Sequence, residues 1–116
     1  MSVKKVIAIV NELRLDTIES ALGAHGVTGF SIHPVMGRGN YFNTFPKNNL
    51  VKHIQIEVFT SDKHSTKIAE LIMSKAHVGA SNEGLVAVIS VDELFWISEQ
   101  KAISDDQYQY FDDVAP

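Results

Sequence analysis

The sequence predicts an α+β fold, one antiparallel sheet with two helices on one face. Three observations lead there. Four apolar, β-branched runs of strand length alternate with two segments whose apolar residues recur at helical spacing. Their order is strand, helix, strand, strand, helix, strand. Glycine or polar clusters fall at the boundaries, where a chain must turn.

Lys4 to Val10 (KKVIAIV) is apolar on both faces and reads as a central buried strand. Asn11 to Leu15 turns the chain. A helix is expected from about Leu15 to His25, with Leu15, Ile18, Ala21 and Leu22 on one face and Gly26 placed for a left-handed C-cap. Val27 to Met36 reads as the second strand. Pro34 lacks an N–H donor, which suggests an edge strand or an unpaired position. Residues 37–51 form a long polar and aromatic loop. Lys52 to Thr60 sets Ile54, Ile56 and Val58 against His53, Gln55 and Glu57, the alternation of a half-buried strand. Ser61 or Asp62 is placed to cap a helix running to about Ala76, with Ile68, Leu71, Ile72 and Lys75 along one stripe. A glycine-containing loop, His77 to Gly84, precedes a buried strand, Leu85 to Val91. This order is the split βαβ, ferredoxin-like plan, a βαββαβ sandwich whose crossovers are right-handed. Its uncovered sheet face would expose Phe or Ile from the second and third strands, a physical reason to expect a homo-oligomer.

The 116 residues suit one domain, expected over 1–103, and the acidic residues 104–116 read first as a disordered end and second as a tail folded over a cleft or onto a partner. Asp105, Asp106, Asp112 and Asp113 account for the net charge of −4, so the rest of the chain carries as many bases as acids. That balance argues against nucleic acid as a partner. Without cysteine, a disulfide framework and thiolate chemistry are excluded. No run approaches the roughly 18–20 apolar residues of a membrane span, and Val6 to Val10 is too short for a signal peptide. The expected protein is neither membrane-embedded nor exported, hence cytoplasmic.

Chemistry would have to reside in the loops. No Ser-His-Asp spacing, nucleophile elbow or HExxH motif occurs, and the chain reads as a non-enzyme. His25, His33, His53, His64 and His77 form no tight pair, although a site between subunits would be open to them. Gly37-Arg38-Gly39 opens the long loop, and Gly79 to Gly84 bounds the second. Glycines let backbone N–H groups approach an anion, and Arg38 could reach a phosphate. A loop as long as 37–51 inside a compact domain is usually functional.

From Lys4 to about Ser98 the chain resembles the PII signal-transduction family. KKVIAIV and LRLDTIESALGAHGVTGFSI are similar to its first strand and helix, and VMGRGN to the base of its long T-loop. IQIEVFTSD is similar to its third strand, and HVGASNEGLVAVISVDELFWI to its B-loop and last strand. The resemblance implies a homotrimer of ferredoxin-like subunits that binds adenine nucleotides in clefts between subunits. It also implies signalling to a membrane transporter or metabolic enzyme through the T-loop. On matching positions, Gly37 and Gly39 would form the loop base, Thr28 and Phe59 would border the nucleotide, and Gly79, Glu83 and Gly84 would form the B-loop. The chain departs from the pattern by a shortened T-loop, by Asn40 where the family has glutamine, and by Leu85, Trp96 and Ser98 where it has basic residues. AMP, ADP or another small anion is therefore the expected effector rather than ATP. Tyr41, Phe42 and Phe45 are the expected partner-docking anchors. The alternatives are a metal-responsive trimer of the same fold using histidines, as in cation-tolerance proteins, and an interaction protein with no small-molecule ligand.

Overall fold

The computed structural model describes residues 2–37, 51–79, 83–103 and 107–112. Strands β1 (Val3–Val10), β2 (Ser31–Gly37), β3 (Val51–Ser61) and β4 (Gly84–Val91) form an antiparallel sheet in the order β2-β3-β1-β4. Helices α1 (Leu15–Ala24) and α2 (Asp62–Ala76) pack on one another, and α2 also packs on β1. This is the expected ferredoxin-like α+β arrangement. Among the described residues no helix is long and apolar enough to cross a membrane.

The central strand carries the core on its helix-facing side. Val6, Ala8 and Val10 point to the helices and are almost fully buried, alongside Ile54, Ile56 and Val58 of β3. Ile18 and Leu22 of α1 and Ile68 and Ile72 of α2 close that core. The register places Val6 between Val58 and Val88, and Ala8 between Ile56 and Val86. Truncating Leu22, Ile56 or Ile72 to alanine would cost roughly 2–5 kcal/mol, through lost transfer energy and the cavity left behind. Lys5, Ile7 and Ile9 face the other way, toward the uncovered side.

Each helix ends for a local reason. Asn11 caps a short 3-10 turn, Glu12–Arg14, by accepting from Leu13 N at 2.9 Å. The end of α1 is a Schellman motif, in which Val27 N donates to Leu22 O at 2.9 Å and Gly26 N to Gly23 O at 3.0 Å. Gly26 takes φ +83° there, as its placement predicted. The same motif corrects the second strand, expected from Val27. The motif commits Val27 to the core, 7% exposed, and pairing begins at Ser31. Pro34 lies on an edge strand, as expected. Ser61 stands at the N-cap of α2 but makes no capping bond with its side chain, and Ser65 Oγ donates to Asp62 O at 3.0 Å instead.

Two further expectations change. The register sets Ile32 opposite Ile56, on the helix side of the sheet, so Ile32 is not exposed on the uncovered face. It is exposed because it projects from the edge strand. Phe59 does lie on the uncovered face, across from Lys5. Of the expected tail, the described residues 107–112 are not a free end. Phe95–Trp96 (β5) and Lys101–Ala102 (β6) form a small hairpin, and residues 107–112 pack back on the body. Paired aromatics and backbone bonds hold what charge alone suggested would be loose.

Gly84 begins β4 at φ +119°, and a Cβ there would overlap the Ile9 carbonyl. Gly84→Ala is therefore expected to lower unfolding free energy by roughly 3 kcal/mol or more. Gly23→Ala, in open space on α1, should raise it by about 0.5–1 kcal/mol. Urea denaturation of both variants checks the contrast.

Candidate functional site

The sheet register sorts the expected site residues into two groups at opposite ends. Gly84 pairs with Val10 at one end of β1, and Gly37 pairs with Val51 beyond that same end. Phe59 pairs with Lys5 near the other end. Five residues of β1 separate the two rows, roughly 17 Å at the rise of an antiparallel strand. A single chain therefore does not bring the two groups together. Arg38, Gly39, Tyr41, Phe42 and Phe45 lie outside the described residues.

At the Gly84 end the loop after α2 is braced by one carboxylate. Glu83 accepts from His77 Nδ1 at 2.6 Å through one oxygen and from Val78 N through the other. Arg14 donates twice to the Lys75 carbonyl, at 3.0 and 2.7 Å, and so neutralises the negative end of α2. A groove of about 530 Å³ lies here, lined by Glu70, Met73, His77, Glu83, Gly84 and Leu85. Gly79 adopts φ +86° with open space around it and does not line the groove. Arg14 and His77 were not among the expected site residues. Arg14 acts on a backbone carbonyl 61 residues away, which no local pattern announces.

At the Phe59 end a cavity of about 620 Å³ opens beside the uncovered sheet face. Its walls are Phe30, Phe59, Leu94, Phe95, Trp96 and Tyr108, with Glu57 and the serines 31 and 98 as polar points. Thr28, expected to border a ligand, is exposed and falls one residue short. Gly29 lines the cavity in its place. Glu57 is held by Lys5 Nζ at 3.1 Å and His33 Nδ1 at 3.8 Å, and Lys5 lies 5.9 Å from the Phe59 ring centre. Trp96 Nε1 donates to Gln107 Oε1 at 3.1 Å, and burial pushes the Tyr108 hydroxyl pKa up.

This chemistry suits a planar ring with a donor to offer Glu57, since aromatic walls supply stacking area and few polar points fix orientation. Among the described residues that line the cavity, none is basic. The aromatic run Leu94-Phe95-Trp96 was visible in the sequence, but its pairing into a hairpin was not. Among the described residues no group of three or more His, Asp or Glu side chains is arranged to hold a metal ion.

Comparison with known proteins gives one consistent result. A family model described as nitrogen regulatory protein P-II matches residues 3–101. Nitrogen regulatory protein P-II 2 of Methanothermobacter thermautotrophicus is 26% identical over 98 residues, 78% of this chain and 85% of that protein. Nitrogen regulatory protein P-II of Porphyra purpurea is 26% identical over 101 residues, 81% of this chain and 90% of that protein. The protein of the same name from Rhizobium etli is 27% identical over 96 residues, 77% and 86% of the two chains.

The Glu83 brace predicts a local effect. Glu83→Gln should speed hydrogen exchange at the Val78 amide about tenfold, the equivalent of ~1.4 kcal/mol of local opening, and leave exchange in β1 unchanged. Exchange measured by NMR checks this residue by residue.

Proposed function

Because this chain belongs to the nitrogen regulatory protein P-II family over residues 3–101, we propose that it is a trimeric regulator binding a small effector in clefts between subunits. The effector class is an adenosine mono- or diphosphate or another compact anion. The response passes through the 37–51 loop to a transporter or enzyme. One observation carries this reading. The aromatic cavity and the glycine-bounded loops stand roughly 17 Å apart at opposite ends of one sheet, and among the described residues no helix lies on the sheet face between them. A second copy against that face brings the ring-binding end of one subunit toward the loop end of the next.

The uncovered face supports such packing. Ile7 and Ile9 of β1 and Leu85 of β4 are half-buried there, and Phe59 and Ile89 are exposed. Burying apolar area of this kind is the ordinary driving force for obligate association.

The preference for a short phosphate chain follows from three positions. Leu85, Trp96 and Ser98 are apolar or neutral, and the latter two line the aromatic cavity. A triphosphate brought there would be stripped of water without a cation in return, which is costly. The 37–51 loop supplies Tyr41, Phe42 and Phe45, aromatic anchors of the type that dominate protein interfaces.

Sedimentation velocity and isothermal calorimetry test the reading. The protein is expected to run as a trimer and to bind AMP or ADP at least tenfold more tightly than ATP. Combining Trp96→Arg with Ser98→Arg should narrow or reverse that ratio, by about tenfold for each cation that reaches a phosphate. A stable monomer would overturn the intersubunit site. Phe42→Ser with Phe45→Ser should abolish capture of the partner while moving the melting temperature by no more than a surface change does.

A further inference from the structure

The segment Gln107–Asp112 joins two parts of the molecule that the fold does not otherwise connect. At its start, Gln107 accepts the Trp96 indole N–H and Tyr108 forms part of the aromatic cavity. At its end, three consecutive residues are seated on the two helices. Phe111 N donates to the His25 backbone O at 2.8 Å, and the His25 side-chain Nδ1 meets the Phe111 carbonyl O at 2.5 Å, so one residue holds Phe111 through backbone and side chain. The Phe111 ring covers Gly26, where a Cβ would come within 2.5 Å of it. Tyr110 stacks on the His25 ring at 4.7 Å and 15°, and packs at the edge of the core. Asp112 Oδ1 takes Lys67 Nζ at 2.7 Å.

We propose that Tyr110-Phe111-Asp112 is a releasable strap. Docked on α1 and α2, it holds Gln107 and Tyr108 as one wall of the aromatic cavity, and its release opens that wall. The inference needs only the single chain and does not depend on the nucleotide reading.

The strap is made of contacts that are specific yet individually weak. The ion pair is exposed on both sides, and such pairs contribute little in water. The ring stack and the two His25–Phe111 hydrogen bonds lie at the end of α1, with only Tyr110 of the three strap residues reaching the core. A segment held in this way opens locally without unfolding the sheet.

The groups facing the seat give the response its sign. His64 lies 6.2 Å from the Tyr110 ring, with Lys63 and Lys67 on its own helix, Asp112 on the strap and His25 across the seat. Glu70 also borders the groove. Burial lowers the His64 pKa below 6.5, and Lys63 and Lys67 lower it further against the opposing Asp112. The hydrogen bond from Lys67 lowers the Asp112 pKa below 3.8. Asp112 meets Lys67 only with the strap docked, so it binds fewer protons docked than free, whereas Lys63 and Lys67 act on His64 from its own helix whether or not the strap is seated. On the acid side, docking is therefore weakened only as pH falls below 3.8, through Asp112. The same bond raises Lys67 and burial raises Tyr110, so those contributions persist through neutral pH and fade only in alkali.

Trp96 is the chain's one tryptophan and sits against the segment that would move, so its fluorescence reports release. Acrylamide quenching of the full chain at pH 8 sets the docked value. Tyr110→Ala should raise it at least twofold and Asp112→Asn by a smaller step, with far-UV circular dichroism unchanged. Quenching left at the wild-type level by both Tyr110→Ala and Asp112→Asn would overturn the strap. The dye 1-anilinonaphthalene-8-sulfonate supplies an independent readout, since release should raise its emission in the same variants by exposing the aromatic wall.

Discussion

Val6, Ala8 and Val10 are asked to satisfy two constraints at once. Their backbone is paired on both sides, with β3 and β4, and their side chains carry the floor of the helix-facing core. A strand in that position cannot alternate polar and apolar residues, because its other face is also partly enclosed. Ile7 and Ile9 on that second face follow from the same demand. The closed packing of Gly84 against Ile9 is a further consequence, since β4 must start where β1 ends and no side chain fits there. Edge positions tolerate more, and Pro34 sits on the outermost strand.

The strand order then decides what one chain can and cannot assemble. With β1 and β3 in the middle, the loop after α2 and the end of β2 gather at one end of the sheet. The cavity framed by Phe59 and the β5–β6 hairpin gathers at the other. Membership of the P-II family accounts for the fold and for a regulatory role. The separation of the two ends gives a physical reason for an oligomer, in addition to the apolar area on the uncovered face.

The C-terminal region shows how local chemistry is reassigned on a shared fold. Where the family resemblance expects cations, this chain places Trp96 and Ser98 in an aromatic wall, with Phe95 and Tyr108 beside them. A hairpin and a seated segment stabilise that wall. The acidic residues, which on charge alone belong to a free end, include Asp112, which meets Lys67 across the seat. Charge patterning gave the sign of the segment and not its destination.

What the sequence determined by itself was everything carried by periodicity and by residues with one conformational role. The four sheet strands, both helices, the C-cap at Gly26, the edge position of Pro34 and the fold class were legible from spacings of two and 3.6 and from glycine and proline chemistry. Of the candidate site, Phe59, Glu83 and Gly84 were legible as single residues, through family resemblance. The tertiary structure alone decided that Val27 is spent on a Schellman motif, that Ile32 faces the helix side, and that Arg14 reaches the Lys75 carbonyl. It also decided that Leu94 to Ser98 folds over Phe59 and that Tyr110 finds His25. Each of these joins residues far apart in the chain or depends on strand register. A local window reports which face a side chain prefers, but the partner it meets there is set by chain crossings tens of residues away.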